Sequence, residues 1–197
     1  MREFVVIGHA APTDPDFSLD ALPGAGRIDV LCRSIAAALL TSHGIREATR
    51  IHLVIQDRIT ITVDGGEVRN LQPDERSIAG LLRTALDAAD DAVGHQPAEP
   101  APGLAIRRRG LEATLEACAR RGQVIGLHED GVPLTDVDPP EHPVVVLSDH
   151  RDRTDREADL LTTVGAEDVR IGPTVVHTDH GIAVIGNWLD TAGYTRY

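Results

Sequence analysis

Short apolar runs, each halting in small polar residues, recur along this chain between stretches of helical spacing. Glu3 to Ile7 reads as a buried strand feeding a long turn-rich segment, HAAPTDPDFSLDALPGAG. A loop of that length ahead of a helix is often functional. Ile28, Leu31, Ile35 and Leu39 stand three and four apart, which predicts a helix over Gly26 to Ser42 ended by Gly44. Arg50 to Gln56 reads as a strand, and Arg58 to Val63 with Glu67 to Arg69 flank Asp64-Gly65-Gly66, a hairpin signal. Pro73-Asp74 opens a helix with Ile78, Leu81, Leu82, Ala85, Leu86 and Ala89 along one stripe. Gly94 to Gly103 is linker-like and reads as an exposed loop. Leu104 to Arg108 is a strand candidate, Leu111 to Ala119 a helix and Gln123 to Leu127 a strand.

The stretch from Val144 to Asp190 organises the rest. The run Val144 to Leu147 stops at Ser148-Asp149-His150, as a buried parallel strand does when it meets a ligand-facing loop. Leu127 meets His128-Glu129-Asp130-Gly131 in the same way. Thr154 to Val164 predicts a helix stopped by Gly165, Val169 to Ile171 a short strand broken by Gly172-Pro173, and Ile182 to Ile185 is a third apolar run. Neighbouring strand ends with a Gly-Pro loop predict an α/β protein with a ligand crevice at the C-terminal ends of a mostly parallel sheet. GxGxxG, the P-loop signature and CxxC are absent, which argues against ordinary dinucleotide and ATP sites.

Charge changes this picture. The net charge is −12 and all 19 basic residues are arginine. Scattered carboxylates without lysine resemble the salt-adapted surface of a halophile protein, the alternative being an acidic mesophilic protein from a GC-rich genome. Net acidity argues against nucleic acid as partner, unless the protein works in molar salt, where local arginine contacts must suffice. Cys32 and Cys118 lack metal or disulfide spacing and read as free thiols. No apolar stretch has the length of a membrane span, so the chain is expected to be cytoplasmic.

Five segments then occur together in order: LPGAGRIDVLCRSI, LQPDERSIAGLL, GLHEDG, VVVLSDH and VRIGPTVVHTDHGIAVIGNWLD. Over roughly residues 1 to 190 the chain resembles the archaeal tRNA pseudouridine N1-methyltransferases (TrmY) of the SPOUT superfamily. The resemblance implies one domain over 1–197, a C-terminal trefoil knot and cofactor cleft within roughly 123–190, and a homodimer. It implies methyl transfer from S-adenosylmethionine to N1 of pseudouridine 54 in tRNA. The cofactor would sit against Leu127, Ser148, the loop Ile171, Gly172, Pro173, Thr174, Val175 and Val176, and Gly181. Ser148 and Gly181 depart from the family, which often has Gly and Cys there. A ribosomal RNA pseudouridine N1-methyltransferase and a non-catalytic RNA-binding α/β domain are the alternative readings.

Asp29 with Arg33 is the expected catalytic pair: a carboxylate near an N–H that must lose its proton, with Arg27 beside it for RNA. Asp29 and Arg33 are equally spaced for an i,i+4 surface ion pair. Arg107-Arg108-Arg109 is either an RNA-backbone contact or a solvated edge strand. Asp149 and His150 could hold the cofactor or target, or merely cap a loop. His177 and His180 have metal-like spacing but no third ligand, so no metal is expected. Ile182 to Ile185 and Trp188 are expected at the dimer interface, with the core as the alternative for Trp188.

Overall fold

The structure, a computed structural model, describes every residue except His95. Eight strands form one sheet in the order β4-β5-β3-β2-β1-β7-β6-β8. The strands are β1 (Arg2–Gly8), β2 (Thr49–Ile55), β3 (Ile59–Asp64), β4 (Ala98–Ala101), β5 (Leu104–Arg107), β6 (Gln123–Pro133), β7 (Pro143–Ser148) and β8 (Glu167–Arg170). The helices are α1 (Ile28–Leu39), α2 (Glu75–Asp87), α3 (Leu111–Ala119), α4 (Asp155–Thr163) and α5 (Thr178–Asp190). β2, β1, β7, β6 and β8 pair in parallel. β3, β5 and β4 extend the sheet antiparallel from β2.

Parallel strands need cover on both faces. α1, α2 and α5 bury one face under a core that includes Phe4, Leu31, Ile35, Leu53, Leu82, Ile182 and Trp188. α3 and α4 bury part of the other over Val5, Ile7, Val144 and Val146. The helix starts are legible in the sequence. Asp74 caps α2 by accepting from Ser77 N–H at 2.8 Å, and Thr154 with Glu157 forms a reciprocal capping box on α4. Gly165, at φ 73°, follows α4.

Four expectations are corrected. Asp64-Gly65-Gly66 is a turn, but Glu67 to Arg69 is not a strand; β3 pairs instead with β2 and β5. The β2–β3 hairpin turns at Gln56 and Asp57, whose φ of 50° and 52° sit in the left-handed region without the usual Asn-Gly signal. Gly94 to Gly103 contains strand β4, which pairs with β5; His95 within it lies outside the described residues. His128 to Gly131 is not a loop, because β6 continues through it with an irregular register that pairs both Leu127 and Val132 with Val169. Ile182, Ile185 and Trp188 of α5 are buried within one protomer against the sheet, so they supply no dimer interface.

Candidate functional site

The parallel register brings the ends of β1 and β7 side by side, with Ile7 opposite Ser148. The chain leaves β8 at one edge, passes through Ile171 to His177, and returns to β7, where Thr178 donates through Oγ1 to the carbonyls of Ser148 (2.8 Å) and Asp149 (3.1 Å). Between them lies a cleft of about 860 Å³, in the size range of small-molecule sites. Leu127, Ser148 and Ile171 through Val176, all expected at the cofactor, line it. Gly181 does not, but a Cβ there would stand 3.0 Å from Leu127 Cδ2 and 3.4 Å from Leu147 Cδ2. A small residue at 181 therefore lets those leucines form the floor. Val175, 72% exposed, and Val176 leave apolar surface bare along the loop.

Polar groups that sequence reasoning missed frame the cleft. Arg153 holds Asp168 through two parallel bonds of 2.9 and 2.8 Å, and the carboxyl lies below its ordinary value because of that guanidinium. Gly126 makes room for the pair: a Cβ there would meet Asp168 Oδ1 at 2.0 Å. His9, the first residue after β1, donates its backbone N–H to Asp149 Oδ2 (2.8 Å) and contacts Asp149 Oδ1 (2.8 Å) and Glu157 Oε2 (3.2 Å) through its ring. Burial acts to lower the His9 pKa, but the hydrogen bonds to the two carboxylates outweigh it and raise the value. The signal for His9 was its position at a strand end beside Ser148-Asp149.

Asp29 is 2% exposed, so the surface-pair reading is corrected while the i,i+4 contact itself is present. Oδ1 accepts from Arg27 Nε (3.0 Å); Oδ2 accepts from Arg27 Nη2 (3.1 Å) and Arg33 Nη1 (2.9 Å). Arg27 reaches it from a left-handed backbone, φ 63°, that turns its guanidinium onto the helix start. Burial alone would raise the Asp29 carboxyl; the two guanidiniums outweigh it and hold the value below the ordinary range. A carboxylate so engaged is a weak proton acceptor. Arg33 continues to Glu75 (3.1 Å) and to Asp179 (3.6 Å) in the first turn of α5, beside the cleft residue Thr178. Asp29, Arg27 and Arg33 thus flank the cleft without lining it.

The three consecutive arginines part company, because successive residues of an extended chain face opposite ways. Arg108 pairs with Asp90 and donates from Nε to the Ala89 carbonyl at 3.0 Å. Arg107 and Arg109 face a second cleft. His150 contacts Asp149 at 3.5 Å, and His177 stands at the N-terminal boundary of the helix that carries His180, without a side-chain capping bond, their rings 5.9 Å apart. Cys32 and Cys118 are buried free thiols, both pushed up to about 12 by burial. Among the described residues, Glu3, His52 and Cys118 alone cluster closely enough to suggest a metal, but Arg121 Nε already donates to Glu3 at 2.8 Å.

A mixed α/β sheet with a small-molecule cleft at the ends of its parallel strands defines a ligand-binding α/β protein. Residues 1–194 match the family described as "Putative SAM-dependent RNA methyltransferase", and the chain belongs to that family. It is 56% identical, over the full length of both chains, to the tRNA (pseudouridine(54)-N(1))-methyltransferase of Haloferax volcanii. The protein of that name from Halobacterium salinarum is 55% identical, also full length, and that of Methanopyrus kandleri 40%, covering all of this chain and 96% of its own. The fold resembles that of Archaeoglobus fulgidus Nep1, crystallised with S-adenosylhomocysteine: TM-score 0.68, 13% identity, 95% of this chain and 96% of that one. No helix among the described residues is long and apolar enough to cross a membrane.

Proposed function

We propose that this chain transfers the methyl group of S-adenosylmethionine to N1 of pseudouridine 54 in the T-arm of tRNA. The observation that carries the reading is the full-length identity to haloarchaeal proteins of that name, joined to a cleft lined by the very loop expected to hold the cofactor. The residues fit such a group: Leu127, Leu147 and Ile171 to Val176 offer apolar and backbone surface for the adenosine and methionine, and Asp130, Asp152 and Arg170 match charged ends. When bound, S-adenosylmethionine would supply an electrophilic methyl group for N1 of pseudouridine.

The chain's part is mainly positioning, worth about 7–11 kcal/mol for a well-oriented pair. Asp29 fixes Arg27 and Arg33 as a positioning residue for RNA phosphate or base. His9 and Thr178 lock the loop Ser148-Asp149 that forms one wall of the cleft.

The reading extends to one domain over 1–197, a trefoil knot within roughly 123–190, a cytoplasmic setting and a homodimer. The return of the chain from β8 across β6 to β7 supports the threading. The bare apolar Val175 and Val176 support a second copy at that side. Sedimentation in high salt tests the dimer; a fully active monomer at micromolar concentration contradicts it.

Nucleoside mass spectrometry of unmodified and pseudouridine-54 tRNA, incubated with the chain and methyl-labelled S-adenosylmethionine, tests the activity. The label is expected on N1 of pseudouridine 54. Label confined to ribosomal RNA supports the ribosomal enzyme instead, and no label with no heat of cofactor binding supports a non-catalytic domain.

A further inference from the structure

We propose that the cleft over β2, β3 and β5, beside α3 and separate from the cofactor cleft, binds RNA phosphodiester groups through Arg107 and Arg109. This rests on the RNA-methyltransferase reading and goes beyond it by assigning a second contact site. The cleft is about 590 Å³ and gathers four guanidiniums, those of Arg50, Arg107, Arg109 and Arg121, in a chain whose net charge is −12. Two of the four are already neutralised within the fold. Arg50 pairs with Asp64, and Arg121 donates from Nε to Glu3 at 2.8 Å. Glu3 in turn accepts from His52 Nε2 at 2.7 Å, while His52 Nδ1 meets Thr62 Oγ1 at 2.9 Å. That polar network is closed.

Arg107 and Arg109 are the remainder. Among the described residues neither makes an ion pair, and Arg109 Nε is buried without an acceptor. Burial, with Arg107, Arg121 and Arg120 nearby, holds Arg109 below the ordinary arginine value. Burial and Arg50 and Arg121 do the same to Arg107 despite Glu99. Like charges crowded in a partly desolvated cleft are costly unless an anion completes them. A planar guanidinium fork matches phosphate oxygens. Glu67, Glu99 and Asp64 also line the cleft, Asp64 being taken up by Arg50.

Two further features favour RNA backbone over a free small anion. Arg107 ends β5, four strands or about 19 Å across the sheet from β7, a separation that an extended RNA backbone can bridge and a single small anion cannot. In concentrated salt, exposed arginines lose most of their pull, whereas half-buried ones keep a short-range contact.

The test is fluorescence anisotropy of labelled tRNA with the whole chain over a series of KCl concentrations. It compares wild type, Arg107→Gln/Arg109→Gln, Arg107→Lys/Arg109→Lys and Arg83→Gln, an exposed arginine of α2. Calorimetry with S-adenosylmethionine and thermal melts run alongside. The Gln double variant is expected to bind tRNA about tenfold or more weakly, with the slope of log K against log salt reduced by about 1–2. Its cofactor affinity should stay unchanged, the Lys pair should restore part of the loss, and Arg83→Gln should match wild type. Inorganic phosphate competing as well as RNA fragments would assign the site to free anion and overturn the proposal. Wild-type affinity and slope in the Gln variant would overturn it too, while leaving the methyltransferase reading intact. A wild-type chain that neither binds nor methylates tRNA would overturn both.

Discussion

Replacing Asp29 by Asn keeps the side-chain shape and removes a charge, which separates positioning from proton acceptance. The carboxylate accepts from two guanidiniums at 2.9 to 3.1 Å. Asn retains one acceptor and turns an NH2 donor toward a guanidinium, so roughly two charge-assisted bonds are lost, each about 1.5–3 kcal/mol when fully buried. Arg27 and Arg33 are themselves 37% and 30% exposed, and Arg33 keeps Glu75 and Asp179. Solvent and those partners recover part of the loss, which leaves about 1.5–3 kcal/mol. At about 2–4 °C per kcal/mol for a chain this size, melting should fall by about 3–12 °C. Asp29 titrates lower in the folded chain than unfolded, so its stabilisation is fully present above about pH 4 and is lost as pH falls through the folded value. The two melting curves should therefore converge in acid. For activity, loosened arginines should raise the tRNA KM and slow single-turnover methylation at saturating tRNA by about tenfold, with cofactor affinity intact. A fall of 10²–10⁴ at unchanged KM, with loss of one limb of the pH–rate profile, would be the signature of a base and would refute the positioning argument. No change in any parameter would refute it equally.

Gly126→Ala should weaken S-adenosylmethionine binding about tenfold and cost about 1–3 kcal/mol, since the new Cβ would displace the Arg153–Asp168 pair; calorimetry and melts check both. His9 titrates higher folded than unfolded, so its contribution is fully present below about pH 6.5 and is lost as pH rises through the folded value; His9→Asn should flatten that part of the stability–pH curve. The acidic, lysine-free surface should make the melting temperature rise from low to molar KCl, and a flat or falling trend would contradict salt adaptation.

The strands and helices were largely legible, because buried parallel strands carry unbroken apolar runs and α2 and α4 carry their own caps. Leu111–Ala119 is a helix with the bounds its spacing implied. The cleft-lining loop 171–176 was expected at a cofactor through family resemblance, which its Gly-Pro break and strand-end position fitted without specifying the ligand. What failed was information the chain holds only across distance. The hairpin turn at Gln56-Asp57 uses left-handed residues that local rules do not favour, and pairing with β5 rather than with Glu67 to Arg69 is decided by which edge is free. An apolar helical stripe at Ile182, Ile185 and Trp188 looks alike whether it meets its own sheet or a second copy; only the packing of α5 on α1 and the sheet assigned it to the core. Asp29 and Arg33 were visible as neighbours, but burial and the second guanidinium, which fill the carboxylate with donors, depend on the left-handed turn at Arg27. Likewise three arginines in a row looked equivalent. Strand alternation and the position of Asp90 on the opposite face gave one of them a carboxylate and left two facing a cleft, because pairing in space, not composition, decides which charge remains to be met.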